Sequence, residues 1–475
     1  MKQEGNAVKE VQSQARPVMP LELQEAEKLR VDRELDKAMS VCAQFMDKNF
    51  DFVPALVLAA NIQLDAERYG SAYVYILRAC QLAPDESVVW NNLALCYQET
   101  GQPEEALKCF IKALNRDPND IFSLANISKL YNDLGEPLKA INCIDKAMRL
   151  NPKLMEARYN KGIALLTLGQ WKEGWEGYEF NLGKHKGRRE RVYGTIPRWT
   201  GENNMTLIAY GEQGIGDEVN FASCIPDLQK ENTVIIECDH RLENLFRRSF
   251  GCKVYGTRYK KAALKWPTEY PVDATVALGS LPGFYRNALE EFPGTPYLVA
   301  DPQRRTMWRA LLDSMGPKPK VGLTWTGGIR KTFRHLRSLE LADLEPIWRQ
   351  DATFISLQYI DALEDVAEVE RTTGIKIHHW PHATQTKDVD DQAALMAELD
   401  LVITVQQTAV HLGGALGVPT WAMIPKTPLW RYGLTGATMP WYKSVKLYRQ
   451  RDKWVDTVAE VARDLRKWIA EKEKK

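Results

Sequence analysis

Proline stands at Pro84, Pro118 and Pro152, each 34 residues after the last, and alanine keeps that step at Ala72, Ala106 and Ala140 and again at Ala79, Ala113 and Ala147. A fixed period of this length means small units that cannot bury an apolar face alone and must stack to share a core. The clearest unit is Ser87–Asp120. Trp90, Leu93, Ala94 and Tyr97 stripe a first helix, Gly101 stands at the turn, and Ala106, Phe110 and Ala113 stripe a second. Small alanines let the two helices approach closely, and Pro118 blocks continuation into the next unit. Looser copies cover 53–86 and 121–154. A further copy runs from Met155 to about Phe180, with Gly169 and Trp171 at its turn, and a degenerate pair precedes them at about 21–52. Four to five helix pairs are therefore expected, with their aromatic residues in the core.

The unit at 87–120 resembles the tetratricopeptide repeat nearly position by position, which implies a concave surface for an extended peptide. Asn91, Asn92, Asn126 and Asn160 fall at the same or nearly the same repeat position. They read either as an amide ladder for a peptide backbone or as solvated helix residues. Around the repeats the bounds are plain. A net charge of +1 with 26% charged residues gives no global field for nucleic acid or a membrane surface. No apolar run of 18 residues exists, and the first 20 residues are polar, expected to be disordered, without a secretory h-region. Eight cysteines form no metal-type spacing and read as buried thiols of a reducing compartment. The expectation is a cytoplasmic, multidomain protein.

After the repeats the grammar changes. A basic run (Lys184, Lys186, Arg188, Arg189, Arg191) reads as a solvated linker. From Met205 short apolar strands alternate with helical patterns: strands at 207–210, 233–238, 253–255 and 274–277, helices at 218–230 and 241–250. The pattern restarts with strands at 320–325, 353–357, 375–378, 401–405 and 419–423 and helices at 344–350, 363–373, 392–398 and 408–416. Two successive α/β halves with parallel sheets follow. The charged helical tail from Trp454 is expected to cross back and brace the first half.

Three stretches carry candidate chemistry. The string LIAYGEQGIGDEVNF is a strand that stops at glycines and restarts as a helix, leaving bare backbone N–H groups beside Gly214 and Gly216. Asp217, in the first turn, reads as a general base or as a helix cap. After the strand at 320–325 comes TWTGGIRKTFRHLRS, where Thr324, Thr326, Gly327, Gly328, Lys331, Arg334 and Arg337 make a phosphate pocket sensible, against a merely solvated basic loop. After the strand at 401–405, Gln406, Gln407 and Thr408 open a helix whose positive end suits a diphosphate. His411, one turn on, either touches ligand or is structural.

The strings GEQGIGD, VGLTWTGG with its later RS, DDQAALMAELDLVITV and HLGGALGVPTW, in this order behind the repeats, resemble proteins that join tetratricopeptide repeats to a GT-B glycosyltransferase domain. The catalytic half is similar to the heptosyltransferases, and the build is similar to the O-linked N-acetylglucosamine transferases. The resemblance implies a repeat solenoid (21–180) after a disordered start (1–20), then a linker (181–204). It further implies an acceptor-side Rossmann-like lobe (205–300), an interlobe linker (301–318), a nucleotide-sugar lobe (319–448) and a C-terminal helix (449–475). It implies inverting, metal-independent sugar transfer from a nucleotide sugar to a protein or glycan acceptor, without a cofactor. Asp217 falls on the family's catalytic aspartate, 324–331 on its phosphate loop and 406–411 on its donor-side helix start. Where the family has aspartate then threonine, this chain has Gln406 and Gln407. The string Asp388–Asp390 reads as helix capping, not as a metal motif. Two other classes remain: a non-catalytic binding scaffold, and a nucleotide-sugar epimerase of similar two-lobed build.

Overall fold

The computed structural model describes residues 19–184, 187–260, 264–328, 334–385 and 387–474. The expectations for residues 1–18, for Lys186 and for Lys331 lie outside these. The chain forms two compact units, one of residues up to 130 with 145–152, the other of 131–144 with 153 onward.

The first unit is a row of helix pairs: Leu21–Val31 with Leu35–Met46, Val53–Asp65 with Tyr69–Leu82, and Ser87–Glu99 with Pro103–Arg116. The pairs close because Ala72, Ala79, Ala106 and Ala113 are fully buried, so backbones approach across small side chains, while the buried Phe110 ring fills the space between helices. Gly101, Gly135 and Gly169 keep the 34-residue step into the structure as left-handed turn residues at φ 78°, 73° and 76°. The fourth pair is Ile121–Asp133 with Pro137–Leu150, and the fifth, Met155–Thr167 with Trp171–Glu179, lies wholly in the second unit.

The second unit holds two sheets. One has four parallel strands, β1 (Thr206–Tyr210), β2 (Thr233–Glu237), β3 (Lys253–Tyr255) and β4 (Ala274–Ala277), in the order β3-β2-β1-β4. The other comprises β5 (Lys320–Leu323), β6 (Thr353–Ser356), β7 (Ile377–His379), β8 (Leu401–Val405), β9 (Thr420–Ile424), β10 (Thr438–Met439) and β11 (Tyr442–Arg449). Its order, β10-β11-β9-β8-β5-β6-β7, is doubly wound and parallel except for β10. In each sheet the order reverses beside the first strand, between β1 and β4 and between β5 and β8, and at such a point loops diverge and leave a crevice.

Four expectations change. The helix expected over 218–230 is broken into Ile215–Phe221, a 3-10 turn at 222–224 and Ile225–Leu228, because Pro226 has no N–H for the Ala222 carbonyl. The linker expected at 301–318 contains the helix Pro302–Asp313, capped by the Asp301 carboxylate on the Gln303 and Arg304 N–H groups. The tail helix Trp454–Lys472 braces the second sheet and not the first: Val458, Val461, Leu465 and Ile469 share a core with Val321, Leu323 and Trp348.

The fourth change concerns the basic run. Arg188 is buried, and its guanidinium donates to Glu212 (3.1 Å), Glu179 (3.0 Å) and Ser280 (2.8 Å). Arg191 grips the fully buried Glu237 at 2.9 and 2.7 Å, and Tyr193 donates to the same carboxylate. Residues 188–193 thus fold over the carboxyl edge of the first sheet and pin it with charge, and residues 197–199 pair with β4 at Thr275. Replacing Arg188 with Met leaves Glu212 buried without its guanidinium and is expected to cost about 3–5 kcal/mol. R188M should lower the melting temperature sharply and E212Q in the same chain should restore most of it, whereas a solvated linker would show neither effect.

Candidate functional site

The glycine-rich turn after β1 divides its work residue by residue. Gly211 lacks a side chain because the carboxylate of Glu218 occupies the place where one would stand. Glu218 turns back into the sheet edge, where Arg258 and the Asp239 N–H meet it. Burial pushes its pKa up to about 7 despite the arginine. Gly214 caps the helix Ile215–Phe221, and Asp217 at the third position answers by accepting the Gly214 N–H through Oδ2 at 3.1 Å. That is the acidic half of a capping box, and the Gly214 carbonyl in turn accepts the Asp217 and Glu218 N–H groups. Gly216 faces the second sheet, where a Cβ would stand 3.0 Å from the Thr408 hydroxyl. The helix after β1 and the helix Thr408–Leu416 after β8 therefore touch at their N-terminal ends.

Asp217 is both capping residue and candidate base, but it does not point freely outward. Its Oδ1 accepts a hydrogen bond from Arg431 Nη2 at 2.5 Å, across the contact between the two sheets, with the carboxylate side chain 24% exposed. Arg431 sits on the turn Trp430–Tyr432 that follows β9, buried against the rings of Trp430 and Phe221. Burial opposes its charge, yet Asp217 and the tyrosines around it hold the guanidinium above its ordinary pKa. Arg431 was not among the residues singled out from sequence. The signal was its position in the loop after a strand of the second half, where α/β ligands bind.

The loop after β5 is held inward. Thr324 is fully buried and its hydroxyl meets that of Thr404 at 2.6 Å, tying β5 to β8. Gln358, another residue without a sequence signal, uses its side-chain amide to hold the backbone of Trp325 and Thr326. The Gly327 N–H donates to the Ser338 hydroxyl, and a Cβ on Gly327 would collide with the Gln406 carbonyl at 2.8 Å. Gly328 takes φ 80°, and its carbonyl accepts the Tyr359 hydroxyl. Arg337 is buried and donates to the Gln406 carbonyl at 3.3 Å, while Arg334 is exposed. Burial, and then the charge of Arg431, depress Arg337 below its ordinary pKa. Gln406 turns its amide oxygen to the Leu429 N–H, and Gln407 reaches the Thr404 hydroxyl at 3.5 Å. Gln407 is the cap residue of the helix Thr408–Leu416 and gives it no side-chain hydrogen bond. Asp217, Gly216, Thr408 and Arg431 thus meet directly, with Gly327, Arg337 and Gln406 joined to one another beside them.

A second candidate surface lies in the repeats, a groove of about 630 Å³ lined by Asn61, Asn91, Asn92, Asn119 and Asn126 among others. Asn91 accepts from Asn126 at 2.9 Å and from Ser123 at 3.4 Å, while Asn92 donates back to the Val88 carbonyl. Amides of successive pairs therefore do connect, through Asn91. Asn160 is buried in the fifth pair.

Residues 87–120 and 123–154 match the tetratricopeptide repeat family. Over 424 residues the chain is 30% identical to the protein FlbA of Caulobacter vibrioides, covering 84% of this chain and 65% of that protein. The chain thus spans less than two thirds of that relative's length. Among solved structures, a thermophilic tetratricopeptide-repeat protein of Thermus thermophilus is similar at 20% identity, covering 33% of this chain and 87% of that chain with a TM-score of 0.31. MamA is similar at 16% identity, covering 34% of this chain and 87% of that chain with a TM-score of 0.28. Among the described residues no helix is long and apolar enough to cross a membrane.

His411 is engaged on both ring nitrogens, Nδ1 with the Tyr442 hydroxyl and Nε2 with that of Tyr432, each at 3.3 Å. Burial, and then the nearby charge of Arg431, hold its pKa well below the usual imidazole range, so the folded ring is neutral. In the unfolded chain the ring protonates as pH falls through about 6.5. The unfolded state then binds the extra proton, and this residue's contribution to stability is lost at roughly 1.4 kcal/mol per pH unit below that point. The His411 ring signals in NMR should not titrate between pH 8 and 5, and His411→Gln should flatten the fall in melting temperature over the acid part of that range.

Proposed function

We propose that the chain is an inverting glycosyltransferase of the two-lobed GT-B build, moving a sugar from a nucleotide-sugar donor to a protein or glycan acceptor recruited by the repeats. One observation carries this reading: a partly exposed carboxylate, Asp217, stands where the helix after β1 of one parallel sheet meets the start of the helix after β8 of the other. Strand order supports it, since the loops after β5 and β8 flank the reversal point of a doubly wound sheet. The repeats add a surface suited to a protein acceptor, and tetratricopeptide arrays serve as extended binding surfaces.

In this mechanism an acceptor hydroxyl attacks the anomeric carbon on the face opposite the nucleotide. The new carbon–oxygen bond forms as the bond to the diphosphate breaks, and the electron pair leaves with the diphosphate. The hydroxyl proton passes to Asp217 Oδ1 once Arg431 Nη2 releases it, since Oδ2 is committed to the Gly214 N–H. The start of the helix Thr408–Leu416, with Arg337, Arg334 and Lys331, would stabilise the charge gathered on the leaving group; Lys331 lies outside the described residues.

A second reading, a binding scaffold without catalysis, is favoured by Gln406 and Gln407, whose side chains are spent on Leu429 and Thr404. A panel of nucleotide sugars separates the two. Transfer or slow donor hydrolysis should release nucleoside diphosphate, the product should carry the opposite anomeric configuration by NMR, and Asp217→Asn should cut the rate by about 10²–10⁴-fold. Undiminished turnover in D217N would remove the base assignment, and no turnover of any donor by the intact protein would leave the scaffold.

A further inference from the structure

Arg431 is nine-tenths buried, and only part of its donor set is used. Nη2 donates to Asp217, while Nε is buried without a hydrogen-bond partner among the described residues. The guanidinium carbon lies over the rings of Trp430 and Phe221, 5.1 and 5.9 Å from their centroids. A desolvated donor with no acceptor is costly, so the site is short of an oxygen. The surroundings favour an anion. The start of the helix Thr408–Leu416 is adjacent through Gly216, its cap residue gives no side-chain hydrogen bond, and the electrostatic influence of Arg431 reaches both Arg337 and His411. A guanidinium fork matches a diphosphate better than it matches the single carboxylate oxygen it now holds.

We infer that Arg431 serves two anions in turn: it guards the Asp217 carboxylate, and the diphosphate of the donor draws it away, freeing Oδ1 to act as base. The inference rests on the sugar-transfer reading and adds an order to it, because an acceptor meets an active base only after the donor is seated. Water that enters without a donor meets a carboxylate already occupied.

Calorimetry on the full chain with ADP, CDP, GDP and UDP identifies the diphosphate that binds, and that nucleotide is then titrated into R431Q, D217N and the double variant. R431Q should weaken binding by roughly ten- to hundredfold. D217N should tighten it several-fold by removing the competitor, and in the R431Q background D217N should change nothing. An equal gain from D217N with and without Arg431 would mean plain repulsion between carboxylate and phosphate, and would overturn the exchange. Unchanged affinity in a folded R431Q would overturn it as well. Should R431Q fail to fold, R431K takes its place: weaker binding supports the exchange and unchanged binding removes it. Absence of binding by every nucleoside diphosphate to the unaltered protein removes the sugar-transfer reading too, whereas binding without coupling removes only the guard.

Discussion

The first turns of two helices meet at Gly216, whose missing side chain lets the helix after β1 lie against Thr408 and His411 of the helix after β8. Helix starts carry partial positive charge and would repel one another without an anion between them. Asp217 supplies that anion from within the first turn of one helix, and Arg431 balances it from the loop after β9. Close backbone approach, helix polarity and a carboxylate thus converge at one point. The loops beside it are built to hold still: Thr324 is locked to Thr404, the backbone at 325–326 to Gln358, and Gly327 sits against the Gln406 carbonyl.

Neighbouring carboxylates on one short helix have been given opposite tasks. Glu218 faces into the sheet edge, shares Arg258 and the Asp239 N–H, and is buried enough to sit near neutrality in its titration. Asp217 faces the other sheet and keeps a share of solvent. The first sheet spends its carboxyl edge on internal pairing, Glu212 with Arg188 and Glu237 with Arg191. Such pairs add little net stability when desolvation is counted, but breaking one is expensive, so they fix where the covering segment must lie.

Periodicity made the helical half readable: a 34-residue step in proline and alanine became helix pairs with glycine turns at the same step. Apolar runs ending in glycine or polar residues marked most strands of the α/β half, and 253–255, 274–277 and 401–405 agree to the residue. β11 escaped because YKSVKLYR interleaves lysine and arginine with apolar residues, and alternation with long charged side chains resembles a solvated segment. The covering segment escaped for a related reason, since a basic run in sequence does not reveal that carboxylates await it on strand ends far away in the chain. At the candidate site, Asp217 and Gly216 could be read from local grammar. Arg431, Gln358 and the tyrosine partners of His411 could not, because their roles exist only once strands separated in sequence have been brought edge to edge.

The fifth helix pair belongs with the sheets more than with the repeats that precede it in sequence. Trp175 stands edge-on to Trp430 and Trp441 at 5.3 and 6.3 Å, its indole N–H donates to the Arg286 carbonyl, and Tyr178 joins the same cluster. Trp430 is the immediate neighbour of the arginine that holds Asp217. Excising the α/β portion at the apparent end of the repeat pattern would therefore remove one wall of an aromatic core that supports the charged pair. The helices that end the periodic array thus buttress the sheets, and their indole surface is part of what holds the loop after β9 in place.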